Sequence, residues 1–156
     1  MDYRIEVVTL PVTDVETAIA FYRDRLGFHL DVDWAPTDAF RIAQLTPPGS
    51  AASVQLGMGI TGSDPGSAAE NYLVVTDIER AHRELTRRGA HPGPLVHKAD
   101  RQEWVGRYEP GPAPDRADYA SSFTLADPDG NTWRVQERDH PSRQATTSTD
   151  DDAPKN

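Results

Sequence analysis

The chain has 156 residues, enough for one compact domain or for two half-sized modules that share a core. Apolar residues make up 37% and charged residues 26%, as in soluble globular proteins, and no apolar run approaches the roughly 18 residues that span a membrane. A formal charge of −9 disfavours nucleic acid as a partner, and the lack of cysteine excludes disulfides, thiolate metal sites and a cysteine nucleophile.

The opening MDYRIEVVTL lacks the basic-then-apolar pattern of a secretion signal, so a cytoplasmic protein is expected. RIEVVTLP, ending at Pro11, is β-rich and predicts a strand. A helix follows. Thr13 and Glu16 have the spacing of a capping box, Val15, Ala18, Ile19, Tyr22 and Leu26 form an apolar stripe, and Gly27 is a stop. FHLDVDW (28–34), FRIAQLT (40–46) and SVQLG (53–57) predict three further strands. The Gly/Ser-rich MGITGSDPGSAAE (58–70) reads as a link, which divides the chain into a first module at 1–58, a linker at 59–69 and a second module at 70–138.

The second module repeats the first. ENYLVV is again β-rich, and VTDIERA (75–81) matches VTDVETA (12–18) at five of seven positions. Thr76 and Glu79 repeat the capping-box spacing, Ile78, Ala81 and Leu85 a shorter stripe, and Gly89 the stop. PLVHK (94–98) predicts a strand and 101–108 a less regular one, while YEPGPAPDRAD (108–118) reads as a long Pro-rich loop of the kind that covers sites. SSFTLAD (121–127) and NTWRVQE (131–137) predict two strands joined by the tight turn DPDG. Each half therefore reads β-α-β-β-β. Residues 139–156 carry no large apolar side chain and predict a disordered tail.

LPVTDVETAIAFYRDRLGF (10–28), VVTDIERAHRELTRRGA (74–90) and DPDGNTWRVQE (127–137) together resemble the vicinal oxygen chelate superfamily, that is, the glyoxalase, bleomycin-resistance and extradiol-dioxygenase proteins. The resemblance covers about residues 3 to 138. It implies an α+β fold in which two βαβββ modules form an open, curved mixed sheet around a small-molecule cavity, with helices on the outer face, in a homodimer. Metal-dependent members bind a divalent ion through four His, Glu or Gln side chains, which stabilises charge developing on adjacent substrate oxygens.

Transferred residue by residue, the four ligand positions of the family fall on Val7, Gln55, Glu70 and Arg134. Val offers no ligand atom, and Arg stays protonated with no lone pair to give. The five histidines fall elsewhere. The resemblance thus implies that this chain carries no metal and no other cofactor. Arg134 offers fixed positive charge to a carbonyl, phenolate or carboxylate, with Glu70 as its partner and Gln55 as a further hydrogen-bonding group. Two alternatives stand beside this. Arg134 and Glu70 form a purely structural ion pair, or a one-residue shift puts Asn71 in place of Glu70. Val7, Tyr72, Trp34, Trp104 and Tyr108 are further wall candidates, the aromatics suited to stacking on flat ligands. Trp133, one residue from Arg134, belongs to the opposite face and is expected under a helix, with Phe21, Tyr22 and Phe28 also in the core.

The resulting expectation is a metal-independent binding protein for a planar or oxygen-rich, natural-product or drug-like ligand, of the kind that confers antibiotic resistance. The acidic surface suggests a cationic drug. The alternative is a metal-free lyase, isomerase or cyclase of natural-product metabolism, with Glu70 as general base and Arg134 as oxyanion stabiliser. A metal-dependent glyoxalase or dioxygenase rests on family analogy alone.

Overall fold

The computed structural model describes residues 1–100, 102 and 106–143. The first half runs β1 (Val7–Pro11), α1 (Val15–Ala20) continued by a π turn (Phe21–Arg25), β2 (His29–Thr37), β3 (Phe40–Thr46) and β4 (Ser53–Gly57). The second half runs β5 (Asn71–Val75), α2 (Ile78–Arg87), β6 (Val96–Lys98), β7 (Tyr108–Pro110), β8 (Ser121–Ala126) and β9 (Thr132–Glu137). Trp104 and the expected tail from residue 144 onward lie outside the described residues.

Each half builds its own mixed sheet. The strand orders are β1-β4-β3-β2 and β5-β9-β8-β6-β7, and the sheets are not closed. In both, the first and last strands of the module run parallel, β1 with β4 and β5 with β9, while the other pairs are antiparallel. This is the open, two-module α+β arrangement that the resemblance implied, each module contributing one mixed sheet. The second module also gains an edge strand, β7, where a loop was expected. Its register, Val96↔Pro110, His97↔Glu109 and Lys98↔Tyr108, places Pro110 at the outer edge of the sheet, where its missing N–H breaks no ladder.

One apolar core joins the halves. It takes Leu10, Ile19, Tyr22, Leu45 and Leu56 from the first, and Ile78, Phe123, Trp133 and Val135 from the second. Alternation along β9 puts Trp133, Val135 and Glu137 on the core side and leaves Thr132, Arg134 and Gln136 on the other. Trp133 meets Tyr22 edge-to-face with ring centroids 6.2 Å apart, and its Nε1 donates to the Tyr22 hydroxyl at 2.9 Å.

The helix starts differ from the capping boxes. Asp14, not Thr13, caps α1, accepting from the N–H groups of Glu16 and Thr17 at 2.9 and 3.3 Å. Asp77 caps α2, accepting from the N–H of Arg80 at 2.9 Å. A carboxylate one residue closer to the helix reaches these N–H groups and also complements the helix dipole. The glutamates that would have closed the boxes turn to arginines: Glu16 accepts from Arg41 at 2.8 Å and Glu79 from Arg116 at 2.7 Å. Thr13 is released to bind the other half. Its N–H and Oγ1 both donate to Asp129 Oδ1 in the DPDG turn, at 3.0 and 2.5 Å.

Glu137 is fully buried at the end of β9 and accepts from the N–H of Ile78 at 2.9 Å. Its charge is met by Arg116, whose Nε and Nη2 reach it at 2.9 and 2.5 Å. Arg116→Met is expected to lower stability by about 3–5 kcal/mol, because it strands a buried carboxylate. A urea unfolding midpoint reads this out; a loss of under about 1 kcal/mol would show that the pair is not the strut described.

Candidate functional site

On the face of the second sheet opposite the core lies a cavity of about 600 Å³. Glu70 and Tyr72 approach from the β5 edge, Arg134 and Gln136 from β9, Lys98 from β6 and Tyr108 from β7, with Tyr119 closing the wall from the segment before β8. The strand registers account for the grouping. Tyr72 is paired with Arg134 across β5 and β9, and Lys98 with Tyr108 across β6 and β7.

Arg134 is the central cation. Its Nη1 donates to Ser122 Oγ at 3.3 Å, and its guanidinium carbon sits 5.9 Å from the centroid of the Tyr108 ring, within cation–π range. Its Nε lies 3.7 Å from Glu70 Oε2, an ion pair longer than a hydrogen bond. The same Glu70 oxygen accepts from the Tyr72 hydroxyl at 3.2 Å. The Arg134 side chain is 22% exposed and that of Glu70 65% exposed, so the cation is held in the wall and the carboxylate hangs at its rim.

Glu70 is placed by an unusual backbone. Its φ is +58°, in the left-handed region that a side chain with a β-carbon occupies at a cost, and its N–H donates to Thr132 Oγ1 at 3.0 Å. The link before it is pinned too: at Gly66 a β-carbon would stand 2.1 Å from the Asp129 carbonyl oxygen. Asn71 is turned elsewhere, its side-chain amide donating to the Thr132 carbonyl at 3.2 Å, so Glu70 and not Asn71 reaches the cavity.

Of the residues singled out in the sequence, the fold brings Glu70, Tyr72, Tyr108 and Arg134 to one cavity. Val7 and Gln55 stand on β1 and β4 of the other sheet and do not line it. Neither does Trp34, which lies half-exposed on β2 with its ring edge-to-face on Phe40, 5.9 Å between centroids. Lys98, Tyr119 and Gln136 escaped the sequence reading. Gln136 was reachable by alternation, two residues beyond Arg134. Lys98 needed the β6–β7 pairing, and Tyr119, at φ +61° with its N–H on the Glu137 carbonyl at 2.7 Å, follows no periodic pattern.

Of the four family ligand positions only Glu70 and Arg134 line this cavity, and the chemistry of the set does not suit a divalent cation. Glu70 is the one carboxylate among them, and a guanidinium stands beside it. Asp77, Glu137 and His140 also bring ligand atoms within 4.8 Å of one another. There Arg116 supplies the positive charge, 2.5 Å from Glu137 and 3.7 Å from Asp77.

Two strand–helix–strand modules, each with its first and last strands parallel and a helix packed against one face, place this chain among the paired-module proteins with open mixed sheets. The chain belongs to the glyoxalase/bleomycin resistance protein/dioxygenase superfamily, whose family model matches residues 4–135. Among solved structures, TnmS3, an antibiotic binding protein from Streptomyces sp. CB03234, shares the fold with a TM-score of 0.66 at 24% identity, over 87% of this chain and 96% of that one. A glyoxalase/bleomycin resistance protein from the same organism gives 0.63 at 25% identity, over 86% and 100%. A superfamily member from Sphaerobacter thermophilus DSM 20745 gives 0.62 at 27% identity, over 88% and 98%. No curated protein matches the chain.

Because a left-handed φ is strained for any residue but glycine, Glu70→Gly is expected to raise stability by up to about 1 kcal/mol, the relief of strain exceeding the added freedom of the unfolded chain. Thermal unfolding checks the sign; a loss would mean that the Glu70 side chain contributes more to the fold than its backbone costs.

Proposed function

We propose that the protein binds a planar, oxygen-bearing small molecule in the cavity of the second sheet, without a metal. What carries this reading is the combination of a wall-mounted guanidinium with three tyrosines, Tyr72, Tyr108 and Tyr119, around about 600 Å³ of space. That volume suits a drug-sized ligand. The tyrosine faces offer stacking area, and Arg134 offers paired N–H donors to a carbonyl, phenolate or carboxylate. Membership of a superfamily that includes bleomycin-resistance proteins agrees with sequestration of a natural product, and so with a role in antibiotic resistance. We place the protein in the cytoplasm and read it as a homodimer. β1 and β5 are edge strands carrying exposed Val8 and Val74, and a second copy covers such edges.

A second reading draws on the contact of Glu70 with both Arg134 and the Tyr72 hydroxyl. In it Glu70 takes a proton from the ligand and Arg134 stabilises the oxyanion left behind, giving a metal-free lyase, isomerase or cyclase. Val7, Gln55 and Trp34 take no part in either reading.

Incubation with a panel of aromatic natural products is expected to give saturable quenching of tyrosine and tryptophan fluorescence, with the compound recovered intact. Turnover that disappears in Glu70→Gln would replace binding by the second reading. Protein purified without chelator is expected to hold no stoichiometric Zn, Ni, Fe or Mn by elemental analysis. One tightly bound ion per chain would overturn the metal-free part, and a monomer in light scattering at micromolar concentration would remove the dimer.

A further inference from the structure

We infer that the cavity selects aromatic anions, and that Glu70 is an internal stand-in for the ligand's acid group, displaced from Arg134 when the ligand enters. This rests on the cavity being the ligand site. Arg134 and Lys98 are the cations among the described residues that line it, beside Glu70, although the whole chain carries −9. Ions farther than a Debye length are largely screened at physiological salt, so the nearby wall and not the distant surface sets the preference inside.

The two members of the Glu70–Arg134 pair are held unequally. Arg134 is fixed by Ser122 and by the Tyr108 ring, and among the described residues its hydrogen bond is the single one to Ser122. A guanidinium has five N–H donors, so most of its fork is available. Glu70 approaches to 3.7 Å, too far for a hydrogen bond, and is exposed enough to swing into water. A ligand carboxylate docking on the fork in a bidentate way makes the shorter contacts that Glu70 does not. Until then Glu70 partly neutralises Arg134, so an anion has to compete with it. Removing the Glu70 charge should therefore tighten anion binding, the opposite sign from that expected of a ligand-contacting or catalytic carboxylate.

The probes are 9-anthracenecarboxylate and its neutral relative 9-anthracenecarboxamide, titrated by fluorescence against the full chain. The acid is expected to bind about tenfold more tightly than the amide, the worth of a charge-assisted contact to arginine. Glu70→Gln is expected to strengthen acid binding about threefold, the range of an exposed ion pair, and so to widen the acid-to-amide ratio. Arg134→Gln should bring the acid down to the amide, and Arg134→Lys should keep part of the preference, since charge remains and the fork is lost. Equal binding of acid and amide by the unaltered protein overturns the inference while leaving the cavity as a ligand site. Weaker acid binding by Glu70→Gln also overturns it. If neither probe binds, the reading of the cavity falls and this inference with it. Should Arg134→Gln fail to fold, the acid-to-amide ratio and the sign of the Glu70→Gln effect still decide.

Discussion

The buried carboxylate of Asp127 is the constraint on which the rest of the molecule depends. Its Oδ1 accepts from the N–H groups of Asp129, Gly130 and Asn131 at 3.0, 2.9 and 2.9 Å, which closes the β8–β9 turn. Its Oδ2 accepts from the Asn131 side chain at 2.8 Å and from the Tyr22 hydroxyl, across the module boundary, at 2.9 Å. Burial, and then the Asp127 charge, push the Tyr22 phenol far above its ordinary pKa, so it stays a donor at any pH the protein meets. Asn131 completes the knot by donating to the Pro11 carbonyl at 3.1 Å. One cluster thus fixes a turn, a helix and the end of β1 together.

The register of β9 follows from that knot, and the site follows from the register. Side chains alternate along a strand, so a slip of one residue would drive Arg134 into the core and Trp133 into the cavity. Trp133 is anchored by the same Tyr22 hydroxyl that Asp127 holds. At the other end of β9, Glu137 is locked to Ile78 and Arg116. Arg134 lies between two buried polar anchors, and that explains how a flexible guanidinium comes to sit at a defined point in the wall. The DPDG turn is therefore a positioning element for the cavity as well as a hairpin.

Local signals were legible in the sequence wherever a single residue carries the physics. Gly27 and Gly89 end their helices with φ of +78° and +74°, as backbone freedom at a helix end requires. Alternation set Trp133 against Arg134, and the family resemblance led to Glu70. Choices between neighbours were not legible. Thr13 and Asp14 both have side-chain oxygens that cap helices, and the decision depends on Asp129, 116 residues from Thr13. The β7 strand was hidden because Tyr108–Pro110 has turn-forming neighbours, and its pairing is decided by β6. The separation of Val7 and Gln55 from the cavity was hidden for the same reason, since periodicity gives the face of a strand and not the sheet it joins.

The pairing of Glu70 with Arg134 links stability to chemistry at this site. A left-handed glutamate is a poor choice for the fold alone, where glycine serves better. What the side chain adds is a carboxylate at the rim of a cavity whose wall holds a guanidinium. At 3.7 Å and largely in water, that pair contributes little to stability, because exposed ion pairs are worth at most about 1 kcal/mol. A left-handed backbone holding a weak ion pair agrees with the inference of a carboxylate that lets go when a ligand acid arrives. Glu70 stands at the mouth of the cavity, outside the Asp127 and Glu137 anchors, so displacement of its side chain leaves the strand that carries Arg134 undisturbed.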